Sequence, residues 1–244
     1  MKDRRIFGLL GGLVMSVASA NIYAEEPNAN DFTIPAPDPI PYDCGDIHSG
    51  ARGYGPFDYT NYEDFTTKLP LVEANHFTSD VEALIKGITD YVLFDIDYTL
   101  RVFPNHHRAL ASISKYEFVV PDAHEWLSGG RTIAIECYFV SAVKFKPTDG
   151  TVRLIYGSYL HRKGMVEARN ELLKQAEIQY NAALKLLPNS AEAHYNLGLY
   201  YYDTNRLSQA VMHGHKAYEL GFPLEGLKDM LIKRGVWDKT ISQN

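Results

Sequence analysis

The spacing of apolar residues divides this 244-residue chain into an irregular first part and a longer helical part. Residues 25–65 are rich in proline, glycine and aspartate, which predicts loops held down by aromatic side chains. From about Ser79, which can cap a helix, apolar residues recur at helical spacing as far as Leu220. A further amphipathic stretch, LEGLKDMLIKRG, follows Pro223 and predicts a last helix with Trp237 packed against it. The pattern predicts an all-α protein. The aromatic residues expected to anchor the loops are Tyr54, Phe57, Tyr59, Tyr62 and Phe65.

Small residues, aromatic residues and prolines recur at regular offsets within the helical part. In NSAEAHYNLGLYYYDTNRLSQAVMHGHKAYELGFP (residues 189–223), Gly198, Ala210 and Ala217 stand where two antiparallel helices would approach closely, and Pro223 would end the second helix. Upstream, YTLRVFP, SAVKFKP and AALKLLP also end in proline, and the intervals between the four prolines are 43, 41 and 35 residues. The pattern resembles the tetratricopeptide (TPR) repeat, a helix–turn–helix unit of about 34 residues. The resemblance implies a solenoid of at least three helical hairpins.

The longer intervals are explained by insertions in two places. In the unit 150–188, the surplus of about seven residues is close to two helical turns, which predicts a taller hairpin. In the preceding unit the surplus lies in VVPDAHEWLSGGRT, whose prolines and glycines predict a loop. The predicted layout is a signal peptide at 1–24, an irregular acidic extension at 25–78, TPR-like repeats at 79–223, and a C-terminal capping helix and tail at 224–244.

The TPR resemblance also implies where a partner binds. In TPR proteins the first helices of successive hairpins line a concave groove that takes extended peptides or partner helices. The mixture of basic, aromatic and polar groups at these offsets suits a peptide with acidic and apolar character. Asn196 stands where some TPR modules clamp a carboxylate, but the rest of the clamp is not reproduced. The groove residues carried over are Arg108, Lys115, Ser158, His161, Arg162, Tyr195, Asn196, Leu199 and Tyr202.

The N-terminus has the parts of a secretory signal peptide. The charged start MKDRR precedes a short apolar run and small residues, with cleavage expected after Ala20 or Ala24. An uncleaved anchor is the alternative. No second long apolar run follows, so the mature chain is expected not to be an integral membrane protein. The predicted location is periplasmic or secreted.

The two cysteines, Cys44 and Cys137, are predicted to form a disulfide in an oxidising compartment. Such a bridge would pin the irregular extension to the second helix of a repeat. Two free thiols, or a metal or haem site, are the alternatives, although no CxxC or CxxCH spacing supports the latter.

Charge is unevenly distributed along the chain. Residues 25–100 contain 15 acidic and 3 basic side chains, a net charge of −12, whereas residues 101–244 contain 18 basic and 14 acidic ones, a net charge of +4. The asymmetry indicates either attraction between the two parts or solvation of an exposed flank. Neither part is basic enough to predict binding of nucleic acid.

One segment resembles a catalytic motif. YVLFDIDYTL (residues 91–100) is similar to the first motif of the haloacid dehalogenase (HAD) phosphatases, in which Asp95 would be the nucleophile and Asp97 the acid/base. The other acidic motifs of that family are missing after Leu100. The same residues fit a helix in which Val92, Ile96 and Thr99 form the buried stripe and both aspartates face outward. The helix is the prediction, and the phosphatase is the minor alternative.

The remaining chemistry-bearing residues predict no catalytic site, metal site or cofactor. His106 and His107 follow a proline, where they can cap a helix, and the other histidines lack the spacing of three or four that suits metal ligands on a helix. The expected function is that of a non-catalytic, exported adaptor that binds a protein or peptide in the periplasm. The alternatives are a glycan- or peptidoglycan-binding accessory protein and a structural subunit whose N-terminal tail fills its own groove.

Overall fold

The computed structural model describes Cys44 and residues 53–88, 91–120 and 134–237. In these residues the protein is all-α, as predicted, with helices paired in antiparallel contact. The eleven helices of this part of the chain are α1 (Tyr62–Thr67), α2 (Leu69–His76), α3 (Ser79–Glu82), α4 (Val92–Val102), α5 (His107–Val119), α6 (Ile135–Phe145), α7 (Gly150–Glu167), α8 (Asn170–Leu186), α9 (Ala191–Asp203), α10 (Leu207–Glu219) and α11 (Gly226–Lys233).

Side-chain caps fix where several helices begin. The Asn61 side chain accepts hydrogen bonds from two backbone N–H groups in the first turn of α1, and Asp149 caps α7 in the same way. Before α9, Ser190 Oγ accepts from the N–H of Ala193 at 3.1 Å. Each cap satisfies donors that have no partner inside the helix.

The four repeated prolines follow helix ends, and for Pro104, Pro147 and Pro188 this confirms their predicted role. Before Pro223 the helix ends earlier, at Glu219, in a turn where Gly221 has a φ of 86°. Helices α4, α6, α8 and α10 end shortly before Pro104, Pro147, Pro188 and Pro223, respectively. A residue that precedes proline is forced away from helical geometry. Phe103, for example, lies at φ −125° and ψ 85°.

The most extensive helix pairs are α7 with α8 and α9 with α10. A Cβ on Gly157 of α7 would lie 2.9 Å from the Tyr180 ring of α8, so the two backbones can approach only because this position is glycine. At Gly198 of α9, a Cβ would lie 2.6 Å from Leu227 Cδ2 of α11 but 3.5 Å from the carbonyl oxygen of Ala210 on α10, which is an ordinary contact. The predicted close approach at a small residue is confirmed at Gly157, whereas the tightest contact at Gly198 is with α11.

The surplus of residues in the unit 150–188 lengthens its hairpin, as predicted. Helices α7 and α8 have 18 and 17 residues, whereas α9 and α10 have 13 each. The loop predicted in VVPDAHEWLSGGRT lies outside the described residues from position 121 onward.

The helical part begins earlier than predicted. Helices α1 and α2 fall within the extension expected to be irregular, and Pro70 stands in the first turn of α2, where a proline loses no helical hydrogen bond. Conversely, the helix expected from Ser79 is only four residues long, because Leu84 adopts a left-handed conformation with φ of 60°. Periodicity alone did not show this break.

Aromatic residues hold the segment before α1 against α4, although not all of those predicted. Tyr54, Phe57 and Tyr59 pack on a small core cluster that contains Phe103. Tyr62, in contrast, is 83% exposed and anchors nothing in this way. The prediction is confirmed for the first three residues and wrong for Tyr62.

Cys44 and Cys137 form a disulfide, with an S–S distance of 2.05 Å and a Cα–Cα distance of 5.4 Å. Cys137 is buried in the first turn of α6. The bridge therefore fixes a point of the N-terminal extension to the helical core, as predicted.

The last helix covers one end of the core. Leu227 and Leu231 of α11 are fully buried, and Trp237 stacks on His215 of α10 with ring centroids 4.0 Å apart. The predicted capping helix and the packing of Trp237 are confirmed, while residues 238–244 lie outside the described part. No helix in the described ranges combines the length and the apolar composition needed to cross a bilayer.

Candidate binding surfaces

The three helices expected to line a groove, α5, α7 and α9, contact one another in sequence order. Between α5 and α7, the Arg162 guanidinium carbon lies 4.2 Å from the centroid of the Phe118 ring. Between α7 and α9, the rings of His161 and Tyr200 meet edge to face, with centroids 5.2 Å apart. These contacts use part of the predicted binding face for packing between helices.

Arg108 is engaged by the N-terminal helices. Its Nη1 donates to Glu73 of α2 at 2.9 Å, and its Nε donates to Glu82 of α3 at 2.9 Å. The hydrogen bond to Glu82 raises the pKa of Arg108 above its ordinary value. This arginine therefore holds α2 and α3 on α5, a role the sequence analysis did not assign.

Two other predicted groove residues are buried. His161 is 9% exposed, and its Nε2 lies 3.1 Å from Asp203 Oδ2, within ion-pair distance but off the line of a hydrogen bond. Tyr195 is 8% exposed and stacks on Phe222 with centroids 4.1 Å apart. Both side chains contribute to the core more than to a surface.

The remaining predicted residues keep partial access to solvent. Ser158 Oγ donates to the Leu154 carbonyl oxygen at 3.0 Å. The guanidinium group of Arg234 lies over the Tyr202 ring, 5.5 Å from its centroid. The half-buried members of the predicted set are Lys115, Ser158, Arg162, Asn196, Leu199 and Tyr202.

A second surface, which sequence reasoning missed, is formed by residues between 83 and 120. It is an open groove of about 630 Å³ between the segment after α3, the start of α4 and the end of α5. We call it the apolar groove. Its apolar lining includes Leu84, Ile85, Tyr91, Tyr116, Val119 and Val120.

The exposed walls of the apolar groove are large hydrophobic side chains. Ile85 is 71% exposed, Val119 55% and Tyr91 45%, whereas Tyr116 is buried and forms the floor. Exposed apolar residues that gather in one place commonly mark an interaction site. The sequence signal was the run DVEALIKGI, in which Leu84 breaks the helix and leaves Ile85 outside.

The rim of the apolar groove carries basic charge. Lys86 pairs with Asp80 at 3.2 Å, but both side chains are largely exposed, so the pair is weak. Lys115 lies one helical turn before Val119 on the same face of α5. It has no hydrogen-bond or ion-pair partner in the described part of the chain. The groove therefore combines apolar walls with one basic lining residue, Lys86, and a second lysine nearby on α5.

The segment that resembles a phosphatase motif is helical. Residues 92–102 form α4, which confirms the helical prediction over the strand that the HAD family requires. Asp95, however, is only 1% exposed, so its predicted outward orientation is wrong. Its Oδ2 accepts from the Ile88 N–H at 2.6 Å, and its Oδ1 lies 3.1 Å from His76 Nδ1. This carboxylate joins α4 to α2 and to the segment after α3.

Asp97 has different partners. It accepts hydrogen bonds from Arg101 Nε at 2.8 Å and from the Tyr138 hydroxyl at 2.6 Å. Burial and the nearby carboxylate raise the pKa of Tyr138 well above its ordinary value, which keeps the hydroxyl a donor. Asp95 and Asp97 thus serve separate helix contacts and do not converge on a phosphate-sized site.

A buried lysine joins α5, α6 and α7. Lys163 Nζ donates to Glu136 at 2.7 Å, to Glu117 at 3.3 Å and to the Tyr159 hydroxyl at 3.0 Å. Burial raises the pKa of the Glu117 carboxyl. Because one ammonium group serves both carboxylates, the end of α5 and the start of α6 are held side by side.

Of the two adjacent histidines, His106 caps a helix, as predicted, whereas His107 contacts a carboxylate instead. His106 Nδ1 accepts from the N–H of Ala109 at 3.1 Å and so caps α5. His107 Nε2 lies 2.8 Å from a carboxylate oxygen of Asp149, the cap of α7. Across the described ranges, no group of three or more His, Cys, Asp or Glu side chains is placed to hold a metal ion.

Comparison with known proteins gives no relative. No protein-family model, no curated protein and no solved structure matches this chain. Functional inference therefore depends on the surfaces themselves.

Proposed function

We propose that this protein is an exported, TPR-type adaptor that binds an extended segment of a protein partner in the apolar groove. The observation that carries the proposal is the concentration of exposed large hydrophobic residues, Ile85, Tyr91 and Val119, around one groove. Burying such side chains contributes about 1.5–3 kcal/mol each. A surface of this kind gains stability when a partner covers it.

The solenoid assignment rests on the order of helix contacts. Helices α5, α7 and α9 pack in sequence order, and α8 and α10 pair with α7 and α9. Such stacking of hairpins is typical of TPR arrays. Export is supported by the Cys44–Cys137 disulfide, since disulfides persist in oxidising compartments.

The partner segment is expected to be apolar with acidic residues at its flanks. Lys86 supplies positive charge at the groove, and Lys115 lies one helical turn before the lining residue Val119 on α5. Rim charges of this kind act mainly on the association rate, whereas the apolar contacts determine the dissociation rate.

A quantitative pull-down from periplasmic extract tests the proposal. The double substitution Ile85→Asp/Val119→Asp should reduce capture of the native partner at least tenfold without unfolding the protein, because both side chains are exposed. Ile232→Asp, at an equally apolar site on α11 that is 50% exposed, is the matched control and should bind normally. Tyr202→Ala/Arg162→Ala tests the face predicted from the TPR resemblance.

Two results would contradict the proposal. Capture that depends on Tyr202 and Arg162, but not on Ile85 and Val119, would move the site to the α5–α7–α9 face. Co-sedimentation with purified peptidoglycan, without recovery of any protein partner, would favour the glycan-binding alternative.

A further inference from the structure

We propose that residues 34–43 of this same chain, IPAPDPIPYD, bind in the apolar groove as an extended proline-rich segment. This inference rests on the proposed function, because it uses the same groove and names the class of ligand that the groove takes. A partner would then carry a similar segment and would displace the chain's own.

The disulfide brings this segment to the groove. Residue 43 immediately precedes Cys44, whose sulfur is bonded to Cys137 in the first turn of α6. Glu136, beside Cys137, shares the Lys163 ammonium group with Glu117 of α5. Glu117 adjoins Tyr116, the floor of the groove. The attachment point therefore lies on the helix that neighbours the C-terminal end of α5.

Residues 34–43 are long enough to reach the apolar groove from Cys44. Ten extended residues span about 33 Å. A segment that starts at Cys44 can therefore cross a groove that begins on the neighbouring helix. No large movement of the helices is needed, because the bridge and the groove belong to adjacent elements, α6 and α5.

The chemistry of the segment matches the groove walls. Pro35, Pro37, Pro39 and Pro41 alternate with other residues, which favours a polyproline II conformation over helix or strand. Grooves lined by aromatic side chains commonly bind such segments, because the ligand loses little conformational entropy on binding. Tyr91 and Tyr116 supply aromatic surface here, and Ile34 and Ile40 supply apolar side chains to the walls.

Charge complementarity also favours binding of residues 34–43 in the apolar groove. The segment contains Asp38 and Asp43 and no basic residue, whereas Lys86 lines the groove and Lys115 lies one helical turn before the lining residue Val119. Lys115 has no competing acidic partner within the described ranges. The acidic side chains of the N-terminal part can thus pair with lysine side chains of the same molecule.

Photo-crosslinking in the full exported chain tests the placement. A benzoylphenylalanine at position 85 should crosslink to residues 31–43 of the same molecule, as mapped by mass spectrometry. The same group at position 232, on the exposed face of α11, is the matched control and should not. Crosslinks from position 85 to a second copy or to other segments, or none above the control, would overturn the inference.

Competition with a synthetic peptide gives an independent test. A fluorescein-labelled peptide of residues 31–43 should bind the full-length Ile34→Asp/Ile40→Asp variant at least tenfold more tightly than wild type, because a tethered segment acts at millimolar effective concentration. Adding Val119→Asp to that variant should abolish peptide binding. Thermal melts and thiol mapping verify that each variant is folded with its disulfide intact.

The outcomes separate this inference from the proposed function. Equal peptide binding to wild type and to Ile34→Asp/Ile40→Asp, or no binding to either, overturns the inference alone if partner capture still depends on Ile85 and Val119. Loss of that dependence overturns the proposed function as well.

Discussion

At the scale of single residues, a hydrogen bond between two imidazole rings makes the contact between α9 and α10 sensitive to protonation. His194 Nε2 lies 3.3 Å from the Pro188 carbonyl oxygen, which can only accept, so this nitrogen carries the proton. His194 Nδ1 therefore accepts from His213 Nδ1 at 2.9 Å. Burial lowers the pKa of both rings, that of His213 to about 4.

Acid should therefore destabilise the protein through His213. The pKa of His213 in the folded protein lies below the ordinary value of about 6.5. The contribution of His213 to the free energy of unfolding is therefore complete above pH 6.5 and is lost as the pH falls toward 4. Between pH 7.5 and 4.5, the free energy of unfolding of the wild type should fall by about 2–3 kcal/mol more than that of His213→Gln. Urea unfolding at the two pH values measures this difference.

His215→Gln serves as the control for that experiment. His215 lies on the same helix but is exposed and stacks on Trp237, so the substitution removes an imidazole while the hydrogen bond between His194 and His213 stays in place. Lys216 and Glu219 also act on His194, in opposite directions, and both remain in every variant. Parallel pH profiles for the wild type and His213→Gln would show that the imidazole pair is not the acid-sensitive group.

At the scale of helices, the close approach of α7 and α8 depends on Gly157. Alanine would add a Cβ 2.9 Å from the Tyr180 ring, which is fully buried and has little room to move. Alanine favours the helix by about 1 kcal/mol, but overpacking of this kind costs about 1–3 kcal/mol. We expect Gly157→Ala to lower the free energy of unfolding by up to about 2 kcal/mol in chemical denaturation.

Gly226→Ala is the comparison substitution at a less crowded site, where a single side-chain atom at the end of Tyr195 would have to shift by a few tenths of an ångström. The nearest atom to its added Cβ is the Tyr195 hydroxyl oxygen at 3.1 Å, and Gly226 is exposed in the first turn of α11. Its effect should stay within about 0.5 kcal/mol. If Gly157→Ala proved as stable as Gly226→Ala, the α7–α8 interface would not be limited by this glycine.

At the scale of the whole molecule, the disulfide closes a long loop. Cys44 and Cys137 are separated by 93 positions, and chain-entropy models give about 4–5 kcal/mol for a loop of this size. Cys44→Ser/Cys137→Ala should therefore lower the melting temperature and speed proteolysis before Gly53. Calorimetry and timed proteolysis measure the two effects.

A reductant separates the effect of breaking the disulfide from the effect of substituting two side chains. It should destabilise the wild type and leave the double variant unchanged, because only the wild type has a bond to break. Two free thiols in protein purified from the periplasm would contradict the prediction.

Much of the helical architecture could be predicted because its causes are local. The prolines that follow α4, α6 and α8 act on their own backbone, and Gly157 marks a close helix contact by composition alone. The cysteine pair was predictable because the chain offers only one pairing. The exposure of the residues on the predicted binding face was harder to predict. It depends on which side chains of the neighbouring helices pack against each position.

The sequence by itself determined that the chain forms helices, where several of them end and which two cysteines are joined, since capping, proline geometry and helix periodicity act over a few residues. Only the tertiary structure decided that Asp95 is buried, that Arg108 binds Glu73 from 35 positions away, and that Ile85 lines an open groove. Those outcomes depend on contacts between segments distant in sequence, because burial and charge pairing are properties of the packed molecule.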